Sequence, residues 1–230
     1  GRIWGYDRFP VTLMRDELPP QRENARLEGA ERVRDVLTGC GLDEVITYSL
    51  VNLEEEGKLH PGGMRPDRDS YLHLRNPLSS EQDTLRQTLL PSLLDTTRRN
   101  LRFVDRVAIF EIGRIYVPVE GKTLPDESRR LGIVMTGPRE ERSWLDHQDR
   151  TQVDFFDLKG VVEALLEGLA VEGTFEPGEH DAFHPGRCAQ VSVEGKQVGV
   201  MGELHPLVRG GFELPEQPIC ALEFALDALL

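Results

Sequence analysis

The chain has 230 residues, 39% of them apolar and 29% charged, which allows a sizeable core and is typical of a soluble globular protein. No apolar run approaches the roughly 18 residues needed for a membrane span, and the N-terminus lacks signal-peptide features. The net charge of −13 opposes tight non-specific binding to nucleic acid, which depends on Lys and Arg. Cys40, Cys188 and Cys220 are far apart, which predicts neither disulfides nor a metal site and favours a cytoplasmic setting.

Hydrophobic periodicity divides the chain into helices and strands. Residues 1–20 contain several prolines and are predicted to be an irregular lead-in to one core domain over residues 21–230. Apolar residues three or four apart predict helices, and runs of β-branched and aromatic residues predict strands. In chain order the predicted elements are a helix over 21–38, strands over 44–51 and 71–75, a helix starting at Pro91, strands over 107–117 and 130–136, a helix over 155–169, a hairpin of 188–193 with 197–202, and a strand over 219–226.

The order of these elements predicts the fold class. Strands joined by hairpins, with helices between them, indicate an α+β domain built on a mostly antiparallel sheet flanked by helices. Residues 107–117 are apolar at nearly every position, so we expect a central antiparallel strand that is covered on both faces. A domain boundary at 140–152, where charged residues surround Trp144, is the alternative to a single domain.

Two His-Pro pairs are the first candidates for chemistry. His184 and His205, together with Glu203, have the residue types of an acid–base or metal cluster. No further ligand stands at a metal-binding spacing, and proline fixes turns. We therefore favour the interpretation that both histidines cap the ends of one hairpin.

Other polar groups also have structural interpretations. The arginines at 98, 99, 102 and 106 are candidates for binding RNA phosphates, but cations also offset the dipole at the C-terminal end of a helix, which we favour. The acidic run 54–56 is predicted to be a solvated helix face. Ser79 and Ser80 lack the surroundings of a nucleophile elbow and are predicted to cap a helix.

Eight short stretches resemble, in the correct order, stretches of the β subunits of phenylalanine–tRNA ligases. The opening RIWGYDRFP of residues 2–10 resembles the family's RIYGYDxIP. The others are GLDEVITYS (41–49), NPLSSEQ (76–82), LRQTLLP (85–91), FEIGR (110–114), DFFDLKG (154–160), HPGR (184–187) and GELHP (202–206). Each stretch is short, but together they span nearly the whole chain and make the resemblance specific.

The resemblance implies the fold of class II aminoacyl-tRNA synthetases and biotin ligases. In this family the α subunit uses ATP and magnesium to activate phenylalanine and charges the tRNA, while the β core domain pairs with α as a catalytic-like relic. It thus implies a cytoplasmic heterotetrameric ligase. This chain alone is expected to be inactive, to bind no cofactor or metal, and to meet tRNA only through the holoenzyme.

Departures from the class II signature motifs support the relic interpretation. Residues 111–114 match the start of the second motif, EIGRxFRxE, but Val117 stands where an Arg grips the ATP α-phosphate and Val119 where the Glu follows. In the third motif Ala228 stands where a second ATP-binding Arg is expected. Valine and alanine cannot stabilise charge that develops on a phosphate, which requires fixed cations or aimed donors.

The first class II motif, a helix and the strand after it, forms the subunit interface in that class. Residues 41–48 match its strand, with Tyr48 in place of the usual proline. The helix face predicted to bind the α subunit is formed by Leu27, Ala30, Val33 and Leu37. In the isolated chain this face is expected either to form a two-fold homodimer or to remain an exposed apolar stripe. Two alternatives stay open, namely an active class II-type ATP-dependent ligase and a tRNA-binding module.

Overall fold

The computed structural model describes residues 1–13, 15–20, 22–77, 79, 82–140, 144 and 151–230. Its strands are β1 Asp43–Glu44, β2 Leu50–Val51, β3 Thr84–Leu85, β4 Val107–Arg114, β5 Arg129–Thr136, β6 Gly173–Pro177, β7 Phe183–Val193, β8 Lys196–Leu204 and β9 Ile219–Ala225. Its α-helices are α1 Ala25–Gly39, α2 Leu53–Gly57, α3 Leu90–Asn100, α4 Phe155–Leu169 and α5 Pro206–Gly211. None of these described helices is long and apolar enough to cross a membrane.

Within the described residues, seven strands form one sheet in the order β1–β4–β5–β9–β8–β7–β6, and β2 pairs with β3 in a second. Every pair in the large sheet is antiparallel except the parallel pair of β1 with β4. The predicted α+β class with a mostly antiparallel sheet is confirmed. Strand β4 lies inside the sheet, as expected, but only the two-residue β1 separates it from the edge.

Alternate side chains of the sheet enter two apolar layers. On one face, Phe110 and Ile133 belong to the same core as Val33 of α1 and Leu165 of α4. On the other, Ile109 belongs to a core that includes residues of α3 and α5. We name these the α1/α4 face and the α3/α5 face. Because both faces are covered, β4 is apolar at successive positions, unlike a strand with one wet face.

Helix α1 begins later than predicted, because the side chain of Asn24 caps it by accepting a hydrogen bond from the Leu27 N–H at 3.3 Å. The predicted first residue, Gln21, lies outside the described residues. Residues 1–20, where described, contain a 3₁₀ turn at Tyr6–Arg8 and no longer helix or strand. The division into lead-in and core domain stays a prediction.

The predicted apolar stripe on α1 is not exposed. Ala30, Val33 and Leu37 are at most 3% exposed, whereas Leu27 is 60% exposed. Helix α4 packs so closely that a Cβ added at Gly168 would lie 2.5 Å from a methyl group of Val36. The prediction that this face is free for a partner is therefore wrong for three of its four residues, because α4 and the sheet cover it. A homodimer of the isolated chain stays a prediction, without this surface to support it.

Several predicted strands differ in length. The strand over 44–51 is reduced to β1 and β2, because between them the Thr47 N–H points to the Glu111 side chain (3.4 Å to Oε1) instead of a neighbouring strand. The strand over 71–75 is reduced to one bridge, between His73 and Thr84. Strand β4 ends at Arg114, before the predicted 117. The predicted hairpin is confirmed, and its strands are longer than expected.

Candidate functional site

Strands β4, β5 and β9 lie side by side. The second class II motif is matched from Glu111 in β4, and the position matched to the third motif follows β9, so the two motifs are close in the sheet. Glu111 of β4 lies opposite Gly132 of β5, which lies opposite Glu223 of β9. Two residues before Gly132 in β5, Arg130 adds a cation to the same face. This row of charged residues is the polar centre of the α3/α5 face and is the candidate site.

The three positions predicted to be degenerate lie beyond the ends of these strands. Val117 and Val119 follow β4 and are half-buried, and the Val117 N–H donates to the carbonyl oxygen of Asp126 at 3.0 Å. Ala228 is exposed in the 3₁₀ turn Leu226–Ala228 that follows β9. None of the three side chains can donate to a phosphate.

Two arginines of the neighbouring strands are already paired with carboxylates. Arg129 donates from Nε to Asp227 Oδ1 at 3.0 Å, directly beside Ala228. Arg114 forms an exposed ion pair with Glu127, in which Nη1 lies 3.2 Å from Oε2. These cations therefore do not replace the two missing arginines as unpaired phosphate ligands.

Sequence reasoning missed Arg86, which occupies the centre of the site. Its buried guanidinium donates from Nη2 to Glu111 Oε1 at 2.9 Å, from Nη1 to Thr47 Oγ1 at 2.7 Å, and from Nε to the carbonyl oxygen of Arg114 at 3.0 Å. All three guanidinium nitrogens thus donate to the chain itself. A buried arginine in this state cannot bind a phosphate without leaving Glu111 as an uncompensated charge.

Two glycines allow the segment before α3 to lie directly on the sheet. A Cβ added at Gly113 would lie 2.4 Å from Nη2 of Arg86, and one at Gly132 would lie 2.6 Å from Cδ1 of Leu93. Leu89 and Leu93 are fully buried. The chain's own side chains therefore fill the space above β4 and β5, and these residues do not fit an ATP phosphate chain.

Two further carboxylates hold the segment 86–89. Glu223 accepts hydrogen bonds from the Thr88 hydroxyl and from the Leu89 N–H at 2.9 Å, and Glu56 accepts from the Gln87 N–H at 3.1 Å. Burial raises the pKa of Glu223 and of Glu56, and the hydrogen bonds partly oppose that rise. Segment 86–89 is thus bound by carboxylates from three elements, α2, β4 and β9.

The buried position of Glu56 corrects one prediction. The run 54–56 was expected to be a solvated helix face, and Glu54 is indeed exposed in α2. Glu56, however, is 4% exposed and points to segment 86–89. Composition could not distinguish the third glutamate, because its partner is a backbone N–H 31 residues away.

The histidines make local contacts, but they do not cap the two ends of one hairpin as predicted, since His205 caps helix α5 and His184 lies within β7. The Nδ1 atom of His205 accepts from the Leu207 N–H at 3.1 Å and caps α5, while His184 donates from Nδ1 to the carbonyl oxygen of Pro185 at 2.6 Å. Glu203 is paired with Arg187, at 2.6 Å. The two imidazole rings are 6.5 Å apart and line an open groove. No group of three or more potential metal-binding side chains occurs in the described parts of the chain.

The basic cluster and the serine pair are resolved in different ways. Arg98 and Arg99 both form ion pairs with Asp95 inside α3, at 2.6 and 2.5 Å, as expected for a helix end. Ser79 precedes β3 rather than a helix, so its predicted capping role is wrong. Ser80 and most of residues 140–152 lie outside the described residues, although the Trp144 side chain is described and is exposed.

Solved structures with a similar arrangement of strands and helices define the class of fold. A pyrrolysyl-tRNA synthetase of Desulfitobacterium hafniense has a TM-score of 0.66 and 20% identity over 89% of this chain and 67% of that chain. A second structure of the synthetase from that organism has a TM-score of 0.64 and 23% identity over 89% and 68%. At this identity the likeness concerns the fold alone, and it confirms the class II aminoacyl-tRNA synthetase fold.

Sequence relatives define the family more closely. Residues 9–226 match the family model of the phenylalanyl tRNA synthetase beta chain CLM domain. The chain is 38% identical to the phenylalanine–tRNA ligase beta subunit of Geobacter sulfurreducens and 42% identical to that of Symbiobacterium thermophilum, over 100% of this chain and 28% and 26% of those proteins. The chain therefore belongs to the phenylalanine–tRNA ligase β-subunit family, and it spans about a quarter of the length of these relatives.

Proposed function

We propose that this chain is the non-catalytic core of a phenylalanine–tRNA ligase β subunit. It binds the α subunit and supports an ATP- and magnesium-dependent enzyme that attaches phenylalanine to its tRNA in the cytoplasm. One observation carries the proposal. Each of the three nitrogens of the Arg86 guanidinium donates a hydrogen bond within the chain, to Glu111, Thr47 and the Arg114 carbonyl. With Val117 and Ala228 in place of the two expected arginines, neither these positions nor Arg86 offers a cation to an ATP phosphate.

The two alternatives have less support. An active ligase would need arginines supplied from elsewhere in space. Arg86 is committed to its buried partners, and the charge of Arg130 partly opposes the rise in the pKa of Glu223 that burial causes. A tRNA-binding module would need a continuous basic face. The ion pairs of Arg98 and Arg99 with Asp95, and the net charge of −13, argue against one.

We assign the surface that meets the α subunit to the segment 45–49 instead of the buried side of α1. Ile46 and Tyr48 are 92% and 81% exposed and alternate with half-buried Val45 and Thr47. Large apolar side chains exposed together are typical of interaction surfaces. The segment follows α1 and lies in the stretch that resembles the first class II motif, the subunit-pairing element of that class.

The test uses the full-length β subunit co-expressed with an α subunit. Ile46→Glu and Tyr48→Glu should each weaken the association by about tenfold or more, because a charge would be buried in the interface. Leu124→Glu is the matched control, since Leu124 is 75% exposed in the β4–β5 connection. An unchanged affinity in both interface variants would contradict the proposed surface.

The same preparation tests the non-catalytic role. The β subunit alone should give no pyrophosphate exchange that depends on phenylalanine, whereas the co-expressed complex should. Exchange by β alone would overturn the proposal and favour the active-ligase alternative.

A further inference from the structure

We infer that Arg86 is a positioning residue for the α-contact surface. Together with Glu111 and Thr47 it fixes residues 45–49 in the arrangement that directs Ile46 and Tyr48 outward. The inference rests on the proposed function and extends it, because it names the interior groups that preorganise the contact surface.

The segment is held to the core at alternate residues. The Val45 N–H donates to the carbonyl oxygen of Phe110 at 2.8 Å, and the carbonyl oxygen of Ser49 accepts from the Arg86 N–H at 3.0 Å. Midway between them, the Thr47 hydroxyl donates to Glu111 Oε2 at 2.7 Å and accepts from Arg86 Nη1 at 2.7 Å. Because each attachment is on the inner side, the residues between them must face outward.

Arg86 takes part in two of these three attachments. Its backbone N–H holds Ser49, its side chain holds Thr47, and its carbonyl oxygen accepts from the Tyr116 N–H at 2.9 Å. The same guanidinium donates to Glu111 at 2.9 Å, and the side chains of this pair are 3% and 2% exposed. A buried network in which each member is satisfied has one favoured geometry, so it transmits rigidity to the chain that it holds.

The network explains a feature that the strand pattern does not. Residues 44–51 have the composition of a continuous strand, yet after the hydrogen bond of the Val45 N–H to Phe110 the residues 46–49 form no ladder with the large sheet. Without ladder hydrogen bonds, an exposed apolar segment would have many conformations and would lose their entropy on binding. The attachments through Thr47 and Arg86 reduce that loss before the partner arrives.

Thr47→Val tests the inference in the full-length β subunit, because it removes only the hydroxyl and keeps the branched shape and the Arg86–Glu111 pair. Thr136→Val is the matched control. Thr136 is fully buried, donates to the Pro218 carbonyl at 2.7 Å and accepts from Gln217 at 3.0 Å, so its variant also loses one donated and one accepted hydrogen bond, here with neutral partners.

Two measurements are compared between these variants. Hydrogen exchange at the backbone amide of position 47 and at its neighbours should speed up by about tenfold in Thr47→Val, and the dissociation constant for α should rise by a similar factor. Thr136→Val should change neither. Arg86→Lys, which retains the charge but cannot donate to three acceptors in one plane, should reproduce the effect of Thr47→Val if it folds.

The outcomes separate this inference from the proposed function. Unchanged exchange in Thr47→Val, or faster exchange with unchanged affinity for α, would overturn the positioning role. If Ile46→Glu and Tyr48→Glu weaken binding in those cases, the proposed contact surface still stands. If those variants bind normally, the proposed surface fails, whatever the exchange rates are.

Discussion

At strands β4, β5 and β9, the two faces of the sheet are stabilised in different ways. On the α1/α4 face, Phe110 and Leu222 enter an apolar core. Their immediate neighbours on the α3/α5 face, Glu111 and Glu223, are carboxylates that accept hydrogen bonds from the segment before α3. The difference teaches that a polar centre within this fold can serve to hold the chain's own segment 86–89, so buried polar groups alone do not identify a catalytic site.

The largest loss of stability is expected when a charge is placed in the apolar α1/α4 face. Val33→Glu should lower the free energy of unfolding by at least about 4 kcal/mol, because it buries an unpaired charge against α4. Leu27→Glu on the exposed side of the same helix should change it by about 0.5 kcal/mol or less. Urea denaturation of both variants measures this difference. A stable Val33→Glu variant that had lost α binding would instead restore the α1 stripe as the interface.

A somewhat smaller effect is expected on the polar face. Arg86→Met should cost about 3–5 kcal/mol, since it leaves the Glu111 carboxylate buried without its partner. The double variant Arg86→Met/Glu111→Met should recover a large part of that loss in denaturant titrations. Arg114→Met, which breaks the exposed pair with Glu127, should cost less than about 1 kcal/mol. Equal losses for the single and double variants would show that packing, not charge, dominates at Arg86.

The smallest expected effect is a pH dependence of folding stability, which is caused by Glu223 on the α3/α5 face. Burial raises the pKa of Glu223 above its ordinary value of 4.5, so the folded state holds this proton more tightly than the unfolded state does. The stability that the folded state gains from this tighter proton binding is therefore fully present below about pH 4.5, and it is lost as the pH rises through the raised pKa. Glu223→Gln removes this loss and retains an acceptor for the Leu89 N–H.

Unfolding of wild type and Glu223→Gln should be compared from about pH 4.5 to about pH 8. The stability of the variant relative to wild type should increase with pH, by on the order of 1 kcal/mol for each pH unit between the unfolded-state and folded-state pKa values. The exposed Glu127→Gln is the control and should follow wild type at every pH. A difference between Glu223→Gln and wild type that did not vary with pH would contradict the raised pKa.

The elements predicted best are those with a strong local signal. Helix α4 is predicted at its observed bounds because Asp154 caps it and apolar residues repeat along one side. The strand over 44–51 was predicted too long, because composition records β propensity but not whether a neighbouring strand is present to complete the ladder. The site was predicted only by its missing cations, Val117 and Ala228. Arg86 carried no local signal, since its acceptors are 25 to 39 residues away.

The sequence by itself determined the α+β class and the family resemblance, and it predicts that Val117 and Ala228 replace two ATP-binding arginines of the class. These follow from local periodicity, ordered short matches and residue identity, which need no knowledge of distant contacts. Only the tertiary structure decided that Ala30, Val33 and Leu37 are core and that Ile46 and Tyr48 are surface. An apolar side chain is equally suited to a core and to an interface, so its role depends on which other elements pack against it. The same reason applies to Arg86 and Glu111, whose buried pairing depends on the segment 86–89, the segment 45–49 and β4 meeting in space.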